Sequence, residues 1–359
     1  MAEHRHVTLA AVAKAAGVAK STASHVFTGK RVVAPETAER VRHAAAAMGY
    51  TGPSALGRAL ASGRTQLIAV VTHALLEDPD TDPLSLAILD GLQREFAQAG
   101  YGTVLIPPIT DDASRDLAHA VLYDGVVSVR RMVGFEETNP YLESRHVPWI
   151  ALDGYMTEEA AVVMDDAKAT EELARRVLEA GHERIAIAGY TFSVEELPDG
   201  LTTFDELYEA APTNVRRRLD GFVRAGVEPV AVFRCGTVAR SSGEAAARAL
   251  LEMEEPPTCI LTTADVHAAG IIDYARRVGL RIPEDLSVTG FDAVTLGGLG
   301  GIELCTVVQD GMQKGRIVAR RLLRMLEAER EGRGGLELGD PEELPLPVRW
   351  GDSVAVLTR

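Results

Sequence analysis

From Leu67 onward, short apolar runs alternate with longer amphipathic segments, and this alternation limits the fold more than any other feature of the chain. The runs are Leu67–Val71, Thr103–Ile106, Gly125–Val129, Trp149–Leu152, Ala161–Met164, Arg184–Ala188, Pro229–Phe233, Cys259–Thr262 and Leu286–Thr289. Helical patterning fills Leu84–Ala99, Ala167–Ala180, Ser242–Glu252, Ala264–Val278 and Met312–Glu331. Strands that are apolar throughout are buried on both faces, and helices between them make the pairing parallel. This predicts α/β architecture with doubly wound parallel sheets. A stretch of about 290 residues exceeds one such sheet, so two lobes are expected, with the cleft between them as the natural ligand site. Glu77–Pro83 and residues 191–213, the latter broken by Pro198, Gly200 and Pro212, read as loops. Glu327–Pro347 is polar and rich in Gly and Pro, and strand-like Val348–Trp350 follows it.

The first fifty residues have a different grammar. Three short helices are predicted. The first runs from Leu9 to Ala16, with Thr8 as N-cap, and ends at Gly17. The second runs from Lys20 to Phe27 and stops at Gly29. The third begins at Pro35, which suits a first helical position, and ends near Gly49. Ala10, Ala13, Val18, Ala23, Val26, Val41 and Met48 supply a small apolar core. Helix, glycine turn, helix is the plan of the helix-turn-helix, whose second helix enters the major groove of DNA. Its outward face would carry Lys20, Ser21, Ser24, His25 and Thr28, donors and acceptors suited to base edges and phosphates. Tyr50-Thr51-Gly52-Pro53 then reads as a turn, and Ser54–Arg64 as a helix too short to stand alone.

Charge separates the same two regions. Residues 1–66 carry nine Lys+Arg against three Asp+Glu, so the head is +6 and the remainder −21 of the chain's net −15. A basic head can lie on phosphates while an acidic body is repelled from them. Cys235, Cys259 and Cys305 are far apart, without metal-ligand spacing, and read as small buried thiols. No apolar run approaches the roughly 20 residues of a membrane span, and Met1–His6 lacks the apolar stretch of a signal peptide. A cytoplasmic location is expected.

The head resembles that of the lactose-repressor (LacI-type) regulators. Val7–Val18 followed by Lys20-Ser21-Thr22-Ala23-Ser24 follows the pattern TLxDVAxxAGVSxxTVSRVLNG. Pro35-Glu36-Thr37, Arg40-Val41, Met48-Gly49-Tyr50 and Ala59–Thr65 continue the match. In the body, Ala180–Ala186, Gly279–Val288, Gly290-Phe291-Asp292 and Leu304–Gln309 also match, so the resemblance spans nearly the whole chain. It implies a periplasmic-binding-protein-like body of type I, two lobes joined by three crossovers, behind an all-α head. The division would be residues 1–51 for the head and 52–65 for a hinge. The N-terminal lobe would take 66–180 with 309–337, and the C-terminal lobe 181–308 with 338–359. It further implies a homodimeric transcriptional regulator, a repressor, on a pseudo-palindromic double-stranded DNA operator, controlled allosterically by a sugar or related polar metabolite. Thr8, Thr22, Lys30, Tyr50, Ser54 and Ala55 join the DNA-contacting set, and Leu60 would wedge between base steps in the minor groove. Arg218, Asp292, Asp265 and Gln309 match effector-side positions. No cofactor, metal or membrane partner is implied.

Several positions depart from the family pattern. His25 replaces an arginine, which predicts a different half-site or weaker binding. Ala19 and Ala34 replace serine caps, each loss typically costing about 1 kcal/mol. Gly57 weakens the hinge helix. Ala264 replaces a ligand-contacting asparagine, and Lys168 a position often acidic or neutral. These departures cast doubt on a plain sugar and open the way to a phosphorylated or acidic ligand, or to none. Taken as residues alone, Arg218 reads as a surface helix cation, Asp265 equally as an N-cap, Gln309 equally as structural, and Asp165-Asp166 as a strand-end turn.

An enzyme of the doubly wound class is one rival. The chain has no GxGxxG after a strand, no GxxxxGK[ST] and no GxSxG. Gly297-Gly298-Leu299-Gly300-Gly301 lacks phosphate-loop spacing and reads as a flexible loop. A free-standing binding protein would lack the head. A regulator without effector, its cleft degenerate, shares every feature above.

Overall fold

A computed structural model describes residues 7–29, 31–52, 57, 59, 63–71, 83–106, 112, 116, 118, 120–129, 147–152, 161–191, 197–332 and 340–357. The chain divides into two compact units, Met1–Gln66 and Leu67–Arg359.

The first unit holds α1 (Leu9–Ala15), α2 (Lys20–Thr28) and α3 (Pro35–Ala47). The Thr8 hydroxyl accepts from the Ala11 amide at 3.3 Å and caps α1. Ala19 and Ala34 head α2 and α3 without a side-chain cap. Gly29 closes α2 in the left-handed conformation, φ +66°. Val12, Ala13, Ala23, Val41 and Ala45 form the buried core, edged by Val18, Val26, Phe27, Met48 and Tyr50. Ala10, expected in that core, is exposed, and Val12 takes the inward position.

The second unit contains two main sheets. In the first, β1 (Leu67–Val71), β2 (Gly102–Ile106), β3 (Gly125–Ser128) and β4 (Trp149–Ala151) run parallel in the order β2-β1-β3-β4. Helices α4 (Pro83–Gln98) and α10 (Gly311–Arg330) cover it, burying Ile88, Leu92 and Phe96 with Ile317, Val318 and Leu322 against Ile68, Val70 and Val127. A two-stranded ribbon pairs β5 (Val162–Val163) with β12 (Glu342–Glu343).

The second sheet has seven strands in the order β13-β11-β10-β9-β6-β8-β7. These are β6 (Ile185–Tyr190), β7 (Gly200–Thr202), β8 (Ala231–Cys235), β9 (Cys259–Thr262), β10 (Ser287–Asp292), β11 (Cys305–Val308) and β13 (Val348–Arg349). The five central strands are parallel, and β7 and β13 are antiparallel edges. Around them lie α5 (Asp166–Glu179), α6 (Phe204–Ala210), α7 (Thr213–Ala225), α8 (Arg240–Leu251) and α9 (Asp265–Arg277). The chain enters this half before α5, leaves it after β11 into α10, and returns between β12 and β13. The expected lobe boundaries therefore shift: α5, assigned to the first lobe, packs its apolar face on the second sheet, and β12, assigned to the second, pairs with β5 of the first.

Two expected loops are structured. Residues 191–213 contain β7 and α6, the latter opened by a capping box in which the Thr203 hydroxyl accepts from the Glu206 amide and the Glu206 carboxylate from the Thr203 amide. Within Glu327–Pro347, α10 continues to Arg330 and β12 forms. All three cysteines are buried and unpaired as thiols. No helix among the described residues is long and apolar enough to cross a membrane.

Candidate functional site: a buried arginine between two carboxylates

Arg218 lies midway along α7 and is buried, not the surface cation that its Arg216-Arg217-Arg218 setting suggests. The close approach of α7 to α5 is what admits it. A Cβ at Gly221 would collide with Thr170 and the Ala167 carbonyl, so only glycine lets the two helices touch. The Thr170 hydroxyl then donates to the Arg218 carbonyl at 2.9 Å. At this contact the guanidinium Nε donates to Asp166 Oδ1 at 3.1 Å, and Nη1 to the Thr263 carbonyl at 2.6 Å. Nη2 stands 3.8 Å from Asp292 Oδ1, and the guanidinium carbon lies 3.5 Å from the centroid of the Phe291 ring. Burial works against the charge, but Tyr190, Asp292 and Asp166 together hold it above its ordinary range.

The network continues into α10. Gln309 Nε2 donates to Asp292 Oδ1 at 2.9 Å, and the buried Lys314 ammonium donates to Gln309 Oε1 at 3.1 Å. Side chains from α5, α7, the end of β10, the segment after β11 and α10 thus converge on one connected polar cluster. Of the expected effector residues, Arg218, Asp292 and Gln309 come together there.

Asp265 lies behind them, and its expected role as N-cap does not hold. It is the first residue of α9, whose N-cap is Ala264. Its oxygens instead accept from Thr306 Oγ1 at 2.6 Å and from the Val294 amide at 2.9 Å. Thr263 and Lys314 belong to the cluster and were not singled out from the sequence, and Asp166, read there only as part of a strand-end turn, is the carboxylate that pairs with Arg218. Asp165 does cap α5, accepting from the Lys168 amide, as its turn reading implied. The Gly297–Gly301 segment, read as flexible, is held by side chains. Arg276 Nη1 donates to the Gly298 carbonyl at 2.8 Å, Arg276 also reaches the Leu299 carbonyl, and Arg240 reaches the Gly297 carbonyl.

In the head, Lys20, Ser21 and Thr28 are exposed on α2, while Thr22, Ser24 and His25 are half-buried. Ser24 and His25 therefore sit lower than a fully outward face requires. The Thr28 hydroxyl donates to the Ser24 carbonyl at 2.9 Å. Nδ1 of His25 is buried with no hydrogen-bond partner among the described residues. Tyr50 packs edge-on to Phe27, ring centroids 5.4 Å apart, and burial pushes its hydroxyl pKa up. Lys30, Ser54, Ala55 and Leu60 lie outside the described residues.

Comparison with known proteins fits this geometry. Residues 8–52 match the family of bacterial regulatory proteins, lacI family, and residues 174–344 a periplasmic binding protein-like domain. The HTH-type transcriptional regulator reg1 of Streptomyces lividans is 30% identical over 335 residues, 88% of this chain and 89% of its own length. The chain belongs to the lacI family. The HTH-type transcriptional regulator IpsA of Corynebacterium glutamicum is another relative, 28% identical over 344 residues, 91% and 93% of the two chains. The lac repressor dimer bound to operator and the anti-inducer ONPF has the same fold, with a TM-score of 0.75 at 22% identity over 98% of this chain and 100% of that one. As a lacI-family protein the chain is a DNA-binding transcriptional regulator, with a helix-turn-helix head and a periplasmic-binding-like body, and its relatives are regulators, not enzymes.

Proposed function

We propose that this regulator is a repressor acting as a homodimer on a pseudo-palindromic duplex operator, and that a small polar metabolite bound between the two halves of its body tunes that grip. The observation that carries the reading is the buried Arg218 cluster. Asp166 and Asp292 orient the guanidinium, while Gln309 and Lys314 link it to α10. A fork of donors beside carboxylates suits hydroxyl groups on a ligand. The lac repressor dimer, of the same fold, carries both operator and an anti-inducer, which supports the analogy. In this reading residues 1–51 are the head and 52–65 the hinge. Segments 66–165 with 309–344, and 166–308 with 345–359, would form the two lobes. Thr8, Lys20, Ser21, Thr22, Ser24, His25, Thr28, Lys30 and Tyr50 would face the operator, with Ser54, Ala55 and Leu60 in the minor groove. An effector shifts operator affinity only by its preference between lobe arrangements.

A mobility-shift titration on DNA upstream of the gene, at two salt concentrations, tests the first half. Salt-sensitive, sequence-selective retardation supports it, and indifference to duplex DNA at low salt overturns it. The engagement of Arg218 by Asp166 and the Thr263 carbonyl favours a second reading, an effector-independent regulator whose cleft network is purely structural. A thermal-shift screen of sugars, sugar phosphates and nucleosides separates the two, since a ligand of the native state must raise the melting temperature.

A further inference from the structure

The turn that presents Asp292 is unusual. Asp292 and Ala293 follow one another at φ +113° and +53°, a region that L-residues with a Cβ rarely occupy, so the surroundings must hold them there. The holding group is Asp265. Its Oδ2 accepts from the Val294 amide at 2.9 Å, one residue past the strained pair. Its Oδ1 pairs with Thr306 Oγ1 at 2.6 Å on β11. Gly290 on β10 makes room for it, since a Cβ there would overlap Oδ1. The carboxyl is fully buried.

We propose that Asp265 is a positioning residue that holds a proton. As a neutral acid it fixes the turn presenting Asp292, and loss of the proton sets two carboxylates against each other and loosens Asp292 from Gln309.

The charged surroundings favour the neutral form. Asp292 at the end of β10 opposes ionisation, and Arg349 of β13 favours it. Arg240 on α8 is committed to Asp273 and the Gly297 carbonyl, and His267 on α9 turns Nε2 to the Thr237 carbonyl. Arg218 reaches this region from α7 only through Asp292 and the Thr263 carbonyl. Burial first, and Asp292 second, push the Asp265 carboxyl up to about 8. The hydrogen bonds from Thr306 and the Val294 amide favour the ionised form but do not outweigh burial and Asp292. When the proton leaves to solvent, the strained turn keeps its amide bond to Oδ2 but gains a like charge behind Asp292. Asp292 is bonded to Gln309, and Gln309 to Lys314 of α10, so the tie between the two halves of the body weakens as pH rises. Any effect on ligand affinity rests on the effector reading above. The proton device does not, and its test uses no ligand.

The test is carbon NMR of full-length protein labelled at aspartate Cγ, titrated from pH 5 to 10, alongside hydrogen exchange of the segment containing Gln309 corrected for intrinsic rates. The wild type should show one aspartate titrating well above the ordinary carboxylate range, with Gln309 protection falling over the same interval. Asp292→Asn should move that midpoint down and Thr306→Val should move it up, and in Thr306→Val the exchange profile should follow the midpoint. Asp265→Asn should abolish both the resonance and the pH dependence of exchange. Should Asp265→Asn fail to fold, the two shifts in variants that retain Asp265 still decide. The proposal is overturned if every aspartate titrates in the ordinary range, if the midpoint ignores Asp292 and Thr306, or if Gln309 protection is flat across the titration.

Discussion

Replacing Arg218 with Met leaves the fully buried Asp166 and the part-buried Asp292 without their shared cation. Removing one partner of a buried ion pair typically costs about 3–5 kcal/mol, because the charge left behind is neither solvated nor paired. Chemical denaturation should show a loss of that order in the body transition for Arg218→Met. Arg218→Lys should lose less, keeping the charge but not the fork that spans Asp166 and the Thr263 carbonyl. Full stability in Arg218→Met would mean that the cluster contributes nothing net. Asp265 yields a second expectation at this scale. An unfolded aspartate loses its proton near its ordinary value of 3.8, whereas the folded one keeps it to about 8. Between those values the folded state binds the extra proton, so raising the pH costs stability across that window and no further above it. Thermal denaturation of Asp265→Asn should lack this decline, and a slope equal to wild type would rule it out. Neither residue was legible from composition. An arginine inside Arg216-Arg217-Arg218 reads as solvated, and the partner carboxylate of Arg218 lies 52 positions away. Only the resemblance of the surrounding motif pointed inward.

At the scale of elements, α2 begins on Ala19, which offers no oxygen to its first free amides. Ala19→Ser should stabilise the head by about 1 kcal/mol. The readout is amide exchange along α2, and unchanged protection in a correctly folded variant would contradict the argument. Strand–helix alternation was enough to locate β1, β3, β9 and the long helices, because strands buried on both faces are apolar throughout and need no partner to be recognised. It failed for β7 and α6. The residues of β7 are half-buried or exposed on a sheet edge, so no apolar run marks it. Helix α6 has seven residues flanked by Pro198, Gly200 and Pro212, which outweighed the one signal present, the Thr203–Glu206 spacing of a capping box. Strand β11 was visible as part of a family motif, but its burial comes from β10 and β13, neighbours assigned by topology and not by periodicity.

At the scale of the molecule, residues 1–66, head and hinge together, are +6 and the rest of the chain −21. This division was legible because summing charge requires no geometry. Which cations meet phosphate was not, because that depends on which face of α2 points outward. Lys20 is exposed at the start of α2, while Ser24 and His25 are half-buried. A phosphate contact and a base contact predict different defects. Losing a phosphate contact weakens binding to all sequences alike and removes one counterion from those released. Losing a base contact lowers affinity only for the preferred sequence. Lys20→Gln should therefore reduce the slope of log affinity against log salt by about one per head, and by about two if two heads bind each operator. His25→Ala should leave that slope unchanged and flatten the preference at one base pair in each half-site. Fluorescence anisotropy on the preferred duplex and on single-base variants, over a series of salt concentrations, measures both quantities at once. A slope change of one for Lys20→Gln would show a single engaged head per complex and would end the dimeric operator reading, whereas an unchanged slope would remove Lys20 from the phosphate interface. A uniform loss across all duplexes for His25→Ala would end the base-reading role: with a lowered salt slope it would make His25 a phosphate contact, and with an unchanged slope a residue of the head's interior, in keeping with its buried Nδ1.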